Sequence, residues 1–140
     1  MFWLAGVDLD TGRRTKYAVA RADWSVHFNV SRDGKLFAGD GGGPRSVAAP
    51  GNGQWIYLFG PGPTGLVATP LVDLSQHDYS LEPNVTFTPD GRWVVFKSNM
   101  HGSSHVYAVE LQPVSGPVLG AGIGPPTQVL KSSPERPPRP

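Results

Sequence analysis

The sequence contains no cysteine, so the chain can form neither disulfide bonds nor thiolate metal sites. Charged residues make up only 16% of the 140 residues, and the basic ones are scattered around a net charge of +1. A nucleic-acid-binding surface would need a concentrated basic face. No apolar run approaches the roughly 20 residues that a membrane-spanning helix needs. The sequence therefore predicts neither a nucleic-acid partner nor a membrane partner.

The first ten residues, MFWLAGVDLD, lack the features of a signal peptide. They have no basic leading segment and no small-residue cleavage pattern, and Asp8 and Asp10 interrupt the apolar run early. Together with the absence of cysteine, this predicts a cytoplasmic protein.

Sustained helical periodicity is also missing, while the sequence has 18 glycines and 15 prolines, which interrupt helices. The apolar segments are short, rich in β-branched and aromatic residues, and bounded by turn residues. They lie at 3–9, 15–22, 26–31, 35–40, 54–59 and 66–75, with three more between 84 and 111. The pattern predicts an all-β fold.

A repeat is visible in this pattern, because NVSRDGKLFAGD at 29–40 can be aligned with TFTPDGRWVVFKS at 86–98. Each copy reads strand, Ser/Thr-x-Asp-Gly turn, apolar strand, and then an aromatic strand. Four short antiparallel strands per repeat are typical of β-propeller blades. We therefore expect residues 1–111 to form a partial β-propeller of about two to three blades, fewer than the roughly four that close a ring.

Residues 112–140 contain no aromatic residue and end in SSPERPPRP. Such a segment cannot bury enough apolar surface to offset its ordering entropy, so we expect a disordered tail.

Two longer stretches are more specific than the turns. DWSVHFNVSRDGKLFAGDGGG at 23–43 and SQHDYSLEPNVTFTPDGRWVVFKSNMHGSSHVYAVEL at 75–111 resemble the C-terminal part of oligogalacturonate lyases. The resemblance covers about residues 1–111. It implies a seven-bladed propeller of WD40-like repeats and a role in pectin breakdown. The implied reaction is β-elimination on short galacturonides, with a histidine as base and a divalent cation, manganese in the family, neutralising the substrate carboxylate.

The resemblance also implies metal-ligand positions. The family has one histidine before an Asp-Gly turn, and His27 falls on that position. A later Gln-x-x-His-x-His cluster corresponds here to residues 79–84, so that Glu82 and Asn84 replace the two histidines and Tyr79 replaces the glutamine. Glutamate and asparagine offer oxygen donors, which suit manganese, magnesium or calcium. His77, just upstream, is a possible fourth ligand.

Strand alternation makes the metal hypothesis geometrically testable. His27 precedes Asp33 by an even number of residues, and Glu82 and Asn84 do the same before Asp90, so alternation directs these side chains to equivalent faces. If neighbouring blades point them at one place, the His27 nitrogen and the Glu82 oxygen should lie within about 5 Å.

Other residues have simpler interpretations. We expect His101 and His105 to flank a solvent-facing turn, and GDGGG at 39–43 to be a tight strand exit from which Asp40 lines the pocket. The family's catalytic histidine lies upstream of the His27 position, and no histidine precedes His27 here, so no catalytic residue is assigned in this chain. Two alternatives remain: a non-catalytic propeller module that binds a carbohydrate or protein, and a TolB-type or serine-peptidase propeller.

Overall fold

The computed structural model describes residues 2–47 and 54–111. These residues form nine β-strands and one short 3-10 turn at Arg21–Asp23. The strands are β1 (Phe2–Val7), β2 (Arg14–Val19), β3 (Phe28–Val30), β4 (Phe37–Gly39), β5 (Trp55–Pro61), β6 (Leu66–Asp73), β7 (Thr86–Phe87), β8 (Trp93–His101) and β9 (Ser103–Glu110).

The strands form three antiparallel sheets in chain order. β1 and β2 form a hairpin, β3-β4-β5-β6 form a four-stranded sheet, and β7-β8-β9 form a three-stranded sheet. The prediction of an all-β protein is confirmed, and each strand lies within or beside a segment that the apolar pattern marks.

The two Asp-Gly turns have the same hydrogen-bond pattern, which confirms the local repeat. In the first, the Ser31 hydroxyl donates to Asp33, whose carboxylate also accepts the Lys35 N–H. Gly34 has a φ of 70°, a left-handed conformation that glycine adopts without steric cost. In the second turn Thr88, Asp90, Arg92 and Gly91 take the same places, with Gly91 at a φ of 69°.

Two apolar clusters hold the sheets together. The larger one includes Ala38, Ile56 and Leu74 on one side and Val94 and Phe96 on the other, so it lies between the four-stranded and three-stranded sheets. The smaller cluster joins the hairpin to the opposite face of the four-stranded sheet, through Val19, Tyr57, Phe59 and Leu66. The four-stranded sheet is therefore covered on both faces.

The first strands of the two larger sheets lie beside each other. β3 contacts β7, and the Phe87 N–H donates to the side-chain oxygen of Asn29 at 3.0 Å. At the other end, β2 contacts β6, the last strand of the four-stranded sheet. This arrangement brings the segments that precede β3 and β7 close together, and these segments carry the predicted site residues.

The predicted tail at 112–140 and part of the glycine-rich insertion lie outside the described residues. Within 2–47 and 54–111, no helix has the length and apolar character required to cross a bilayer.

Candidate functional site

The candidate site lies where the chain enters β3, leaves β4 and approaches β7. His27 immediately precedes β3, Asp40 immediately follows β4, and the loop before β7 carries Glu82 and Asn84. Because β3 and β4 are antiparallel neighbours, their pairing brings His27 and Asp40 together. The contact between β3 and β7 adds the loop with Glu82.

His27 and Asp40 form two close hydrogen bonds. The His27 backbone N–H donates to one carboxylate oxygen of Asp40 at 2.8 Å, and ring atom Nδ1 lies 2.7 Å from the other. Since a carboxylate accepts, Nδ1 carries a proton, and Nε2 has no hydrogen-bond partner among the described residues. This is the orientation in which a histidine can bind a metal through Nε2 or accept a proton.

Asp40 is fully buried and is held by groups from two distant parts of the chain, His27 and Tyr79. Burial raises the pKa of its carboxyl group, and the hydrogen bonds from His27 oppose that rise. The Tyr79 hydroxyl donates to the Asp40 backbone oxygen at 3.1 Å. Asp40 therefore connects the end of β4 to residues on the 79–84 loop.

Glu82 faces the free nitrogen of His27. Its carboxylate oxygen Oε2 lies 3.8 Å from Nε2, which meets the expected separation of less than about 5 Å. The distance is too long for a direct hydrogen bond. Two ligands that share one ion at about 2.0–2.6 Å lie roughly 3–4 Å apart, so the spacing fits a shared cation. Both side chains are partly exposed, which gives a ligand access.

Asn84 has a backbone conformation that few residues adopt. Its φ is 52°, in the left-handed region where asparagine is more frequent than most residues. Its side-chain nitrogen donates to the Glu82 carbonyl at 3.1 Å, which leaves the side-chain oxygen as the atom available to a ligand. The unusual φ sets the course of the chain between Pro83 and β7, and the side-chain hydrogen bond ties that segment to Glu82.

His77 has a different environment. Nε2 lies 2.6 Å from the Leu81 carbonyl, so it must donate, and Nδ1 accepts from the Ser98 hydroxyl at 2.9 Å. Burial lowers the pKa of His77 and keeps the ring neutral. Because both nitrogens are occupied within the protein, His77 has no free lone pair for a metal, and its contacts are those of a residue that stabilises the 77–81 turn.

Strand alternation is not what brings His27 close to Glu82. The sequence predicts strands through His27 and Asn84, but β3 begins at Phe28 and β7 at Thr86. The His27 N–H bonds the Asp40 side chain instead of a backbone carbonyl, and the left-handed Asn84 interrupts the extended chain. His27 and Glu82 therefore meet through turn and loop geometry.

Asp40 and Tyr79 emerge as site residues that sequence reasoning did not place in the ligand set. The sequence offers one signal for Asp40, because it is an acidic residue directly after an apolar strand and before a glycine run. Its contact with His27 depends on the pairing of β3 with β4, which the sequence pattern does not reveal. The expectation that His101 and His105 lie at an exposed turn is confirmed.

Across the described ranges, no three histidine or acidic side chains converge as a metal-binding group. The donors that the structure brings together are the His27 ring nitrogen Nε2 and the Glu82 carboxylate, and the loop that carries Glu82 adds the Asn84 amide oxygen two residues later. This set fits a hard divalent cation that takes its remaining ligands from water or substrate. Comparison of the chain with protein-family models, with curated proteins and with solved structures finds no match.

Proposed function

We propose that residues 1–111 form blades of a β-propeller and that His27, Glu82 and Asn84 hold a divalent cation that binds a uronate. Manganese is the preferred ion, with magnesium and calcium as alternatives. The single observation that carries the proposal is the free Nε2 of His27, oriented by the buried Asp40 and 3.8 Å from the Glu82 carboxylate. The resemblance to oligogalacturonate lyases supplies the substrate class.

The sheet arrangement supports the propeller. The four-stranded sheet is a meander in chain order, and the next sheet repeats its first turn with the same hydrogen bonds. The first strands of the two sheets lie side by side, as do the strands nearest the axis of a propeller. Ligand sites of such folds gather near that axis, where His27 and Glu82 would lie.

Each residue has a defined task in this proposal. Asp40 holds the proton on Nδ1 of His27, which keeps the Nε2 lone pair directed at Glu82. Glu82 supplies negative charge, and Asn84 fixes the loop through its hydrogen bond to the Glu82 carbonyl. When bound, a divalent cation would neutralise the uronate carboxylate and so acidify the neighbouring C–H group.

Isothermal titration of the full chain with Mn²⁺ tests the cation site. We expect saturable binding that weakens by about tenfold or more in His27→Ala and in Glu82→Gln. His105→Ala is the matched control, because His105 is an exposed histidine away from Glu82. Equal affinity in all variants, or no binding by the unmodified chain, would contradict the proposal.

Digalacturonate tests the substrate class. If the uronate completes the ion's coordination, digalacturonate should raise the affinity for Mn²⁺, and by linkage Mn²⁺ should raise the affinity for digalacturonate by the same factor. A neutral galactose disaccharide should have no such effect. A titration without protein corrects for direct chelation of the ion by the sugar.

A non-catalytic binding module is the second candidate, and the histidine inventory favours it for this chain. Its four histidines are His27, His77, His101 and His105. His77 is engaged on both nitrogens, and His101 and His105 lie on an exposed hairpin, so none of these three is positioned as a base beside His27. The ultraviolet absorbance of unsaturated uronides separates the two candidates: a lyase produces it, whereas a binding module binds digalacturonate without it.

A further inference from the structure

We propose that the open edge of β1 and the cleft beside it bind a β-hairpin of another polypeptide, which extends the β1–β2 hairpin to a four-stranded sheet. The inference stands on sheet register and packing, and it does not depend on the proposed cation.

Along one edge of β1, the backbone groups have no partner strand within residues 2–47 and 54–111. Asp8 donates its N–H to the Arg13 carbonyl at 2.9 Å, so the alternation of an antiparallel ladder directs the backbone groups of Gly6 and Leu4 toward β2. The N–H and C=O groups of Trp3, Ala5 and Val7 then face the opposite edge, where no described strand pairs with β1.

This edge also lacks the features that normally prevent association. β1 reads FWLAGV and contains neither a charged residue nor proline. Edge strands that remain unpaired usually carry lysine, proline or a bulge. The composition of β1 is that of a strand with a neighbour on each side.

A cleft of about 610 Å³ lies beside this strand. Leu4, Gly6 and Tyr17 of the hairpin line one wall, and Phe28 and Val30 of β3 are on the other. The Val30 side chain is 51% exposed there, although its strand belongs to the fully formed sheet. The charged lining residues, Asp8, Arg13 and Asp33, lie at the turn end of the cleft. The apolar part of the wall next to an uncharged strand edge fits a peptide strand that donates backbone hydrogen bonds and packs apolar side chains.

In the four-stranded sheet, the edge of β5 that corresponds to the open edge of β1 is occupied by β4. β5 leads into a hairpin with β6 as β1 does with β2, and its other edge pairs with β4, with Phe59 opposite Phe37 and Tyr57 opposite Gly39. β3 then pairs with β4. No residue of β1 is buried, whereas Ile56, Tyr57 and Phe59 of β5 are.

The same comparison defines the partner. It is a hairpin of two short strands joined by a tight turn, like β3–β4, whose second strand runs antiparallel to β1. Its turn lies at the same end as the Asp8–Arg13 turn, because the β3–β4 and β5–β6 turns share one end of their sheet. Its apolar side chains face Val30 and Phe28.

A synthetic peptide of residues 25–41, the β3–β4 hairpin itself, is the probe for this site. We add it to the full chain and follow backbone amide exchange by NMR. The expected result is that exchange at Trp3, Ala5 and Val7 slows by about tenfold, while exchange at the exposed turn residue Thr11 does not change.

Two variants act as controls. In the peptide, Phe37→Pro removes a donor that faces the β1 edge, and this peptide should give no protection. In the protein, Ala5→Pro removes an N–H that faces the open edge and not β2, so the β1–β2 ladder should persist while peptide binding is lost. If Ala5→Pro unfolds the β1–β2 hairpin, the Phe37→Pro peptide still tests binding at the β1 edge, because the protein itself is then unchanged.

The proposal is overturned if the peptide gives no protection, or if the Phe37→Pro peptide protects equally well. It is also overturned if digalacturonate, and not the peptide, shifts the Leu4 and Val30 signals, because the cleft is then a small-molecule pocket. Mn²⁺ affinity, measured with a peptide in which His27 is replaced by Ala, reports on His27 of the protein and should not change with the peptide, so failure here and failure of the proposed function are separate results.

Discussion

At the scale of single residues, Asp40 is the residue that orients His27 in the candidate site. It is fully buried, its carboxylate accepts hydrogen bonds from the His27 backbone and the His27 ring, and its backbone oxygen accepts one from the Tyr79 hydroxyl. Because the three donors come from two parts of the chain, Asp40 contributes both to stability and to the orientation of His27.

Asp40→Asn should lower the free energy of unfolding by about 2–3 kcal/mol, because an amide has one accepting oxygen where the carboxylate uses two, and its own N–H groups would face a His27 donor. Urea unfolding measures the effect. Asp10→Asn is the control, an identical charge change at an exposed position, and should have almost no effect. The same Asp40→Asn variant should weaken Mn²⁺ binding about 10–100-fold, since the histidine loses its orienting partner. An unchanged Mn²⁺ affinity would assign Asp40 a structural role alone.

His77 should make stability depend on pH. Folding lowers its pKa below the ordinary 6.5, so its contribution to stability is complete above pH 6.5 and is lost as the pH falls through the folded-state pKa. We expect the urea midpoint to decrease with falling pH in that window, and His77→Gln to reduce the slope. A slope that is the same in His77→Gln would exclude His77 as its origin. The ring nitrogen chemical shifts should report an Nε2–H tautomer at neutral pH.

At the scale of elements, the two Asp-Gly turns are built alike. In each, the aspartate carboxylate accepts from a hydroxyl two residues earlier and from a backbone N–H two residues later. These bonds lower the pKa of Asp33 and of Asp90, with the Ser31 and Thr88 hydroxyls as the largest causes. Both turns thus stabilise the fold above pH 3.8, and that contribution is lost as the pH falls through the lowered pKa values.

Substitution of the serine in the first turn tests whether the two turns titrate independently. Ser31→Ala should raise the pKa of Asp33 toward its ordinary value and leave that of Asp90 unchanged, because each carboxylate is bonded only within its own turn. Carboxyl-carbon NMR titration measures both values in one experiment. A simultaneous change at Asp90 would mean that the turns are coupled.

Glycine substitutions test the backbone of the same turns. Gly34→Ala and Gly91→Ala should each cost about 1 kcal/mol, because both glycines have positive φ while an added Cβ would meet no atom within 4 Å. Gly6→Ala is the control, since its surroundings are equally open and its φ is ordinary. Chemical denaturation should show a loss in the first two and none in the third, and equal effects in all three would contradict this explanation.

The sequence was most informative where the pattern is local. Alternation and Asp-Gly turns predict the strands and the repeat, because both depend on neighbours in the chain. They do not predict that β3 begins after His27, since the cause is a side chain of Asp40 that is distant in sequence. They also do not predict that His77 is occupied, because its partner Ser98 lies on β8. The proximity of His27 and Glu82 was predicted, although loop geometry produces it.

At the scale of the whole molecule, the candidate site depends on how two sheets are joined. Asn29 on β3 accepts the Phe87 N–H of β7, and Pro83 accepts the Lys97 N–H from β8. The first contact joins the sheets, and the second holds the loop that carries Glu82 against the three-stranded sheet. Together with the larger apolar cluster, both contacts help to keep His27 and Glu82 close.

Asn29→Leu should lower the free energy of unfolding by about 1–2 kcal/mol and weaken Mn²⁺ binding, because the Phe87 N–H loses its acceptor and the sheets are less firmly joined. Asn29→Asp keeps an acceptor for the Phe87 N–H, so it should lose less stability and less Mn²⁺ affinity than Asn29→Leu. Denaturation and Mn²⁺ titration of the two variants provide the comparison. Equal losses in both would indicate that the hydrogen bond does not join the sheets.

The most direct test of the central claim uses Mn²⁺ as a paramagnetic probe of the four histidines. With substoichiometric Mn²⁺ added to the full chain, NMR signals of nuclei near the ion broaden before all others. Our account predicts that the His27 ring signals and the Asn84 side-chain amide broaden first and that the exposed His101 and His105 rings are unaffected at the same ratio. If His101 and His105 broaden first, or all four histidines broaden together, the ion is not held between His27 and Glu82.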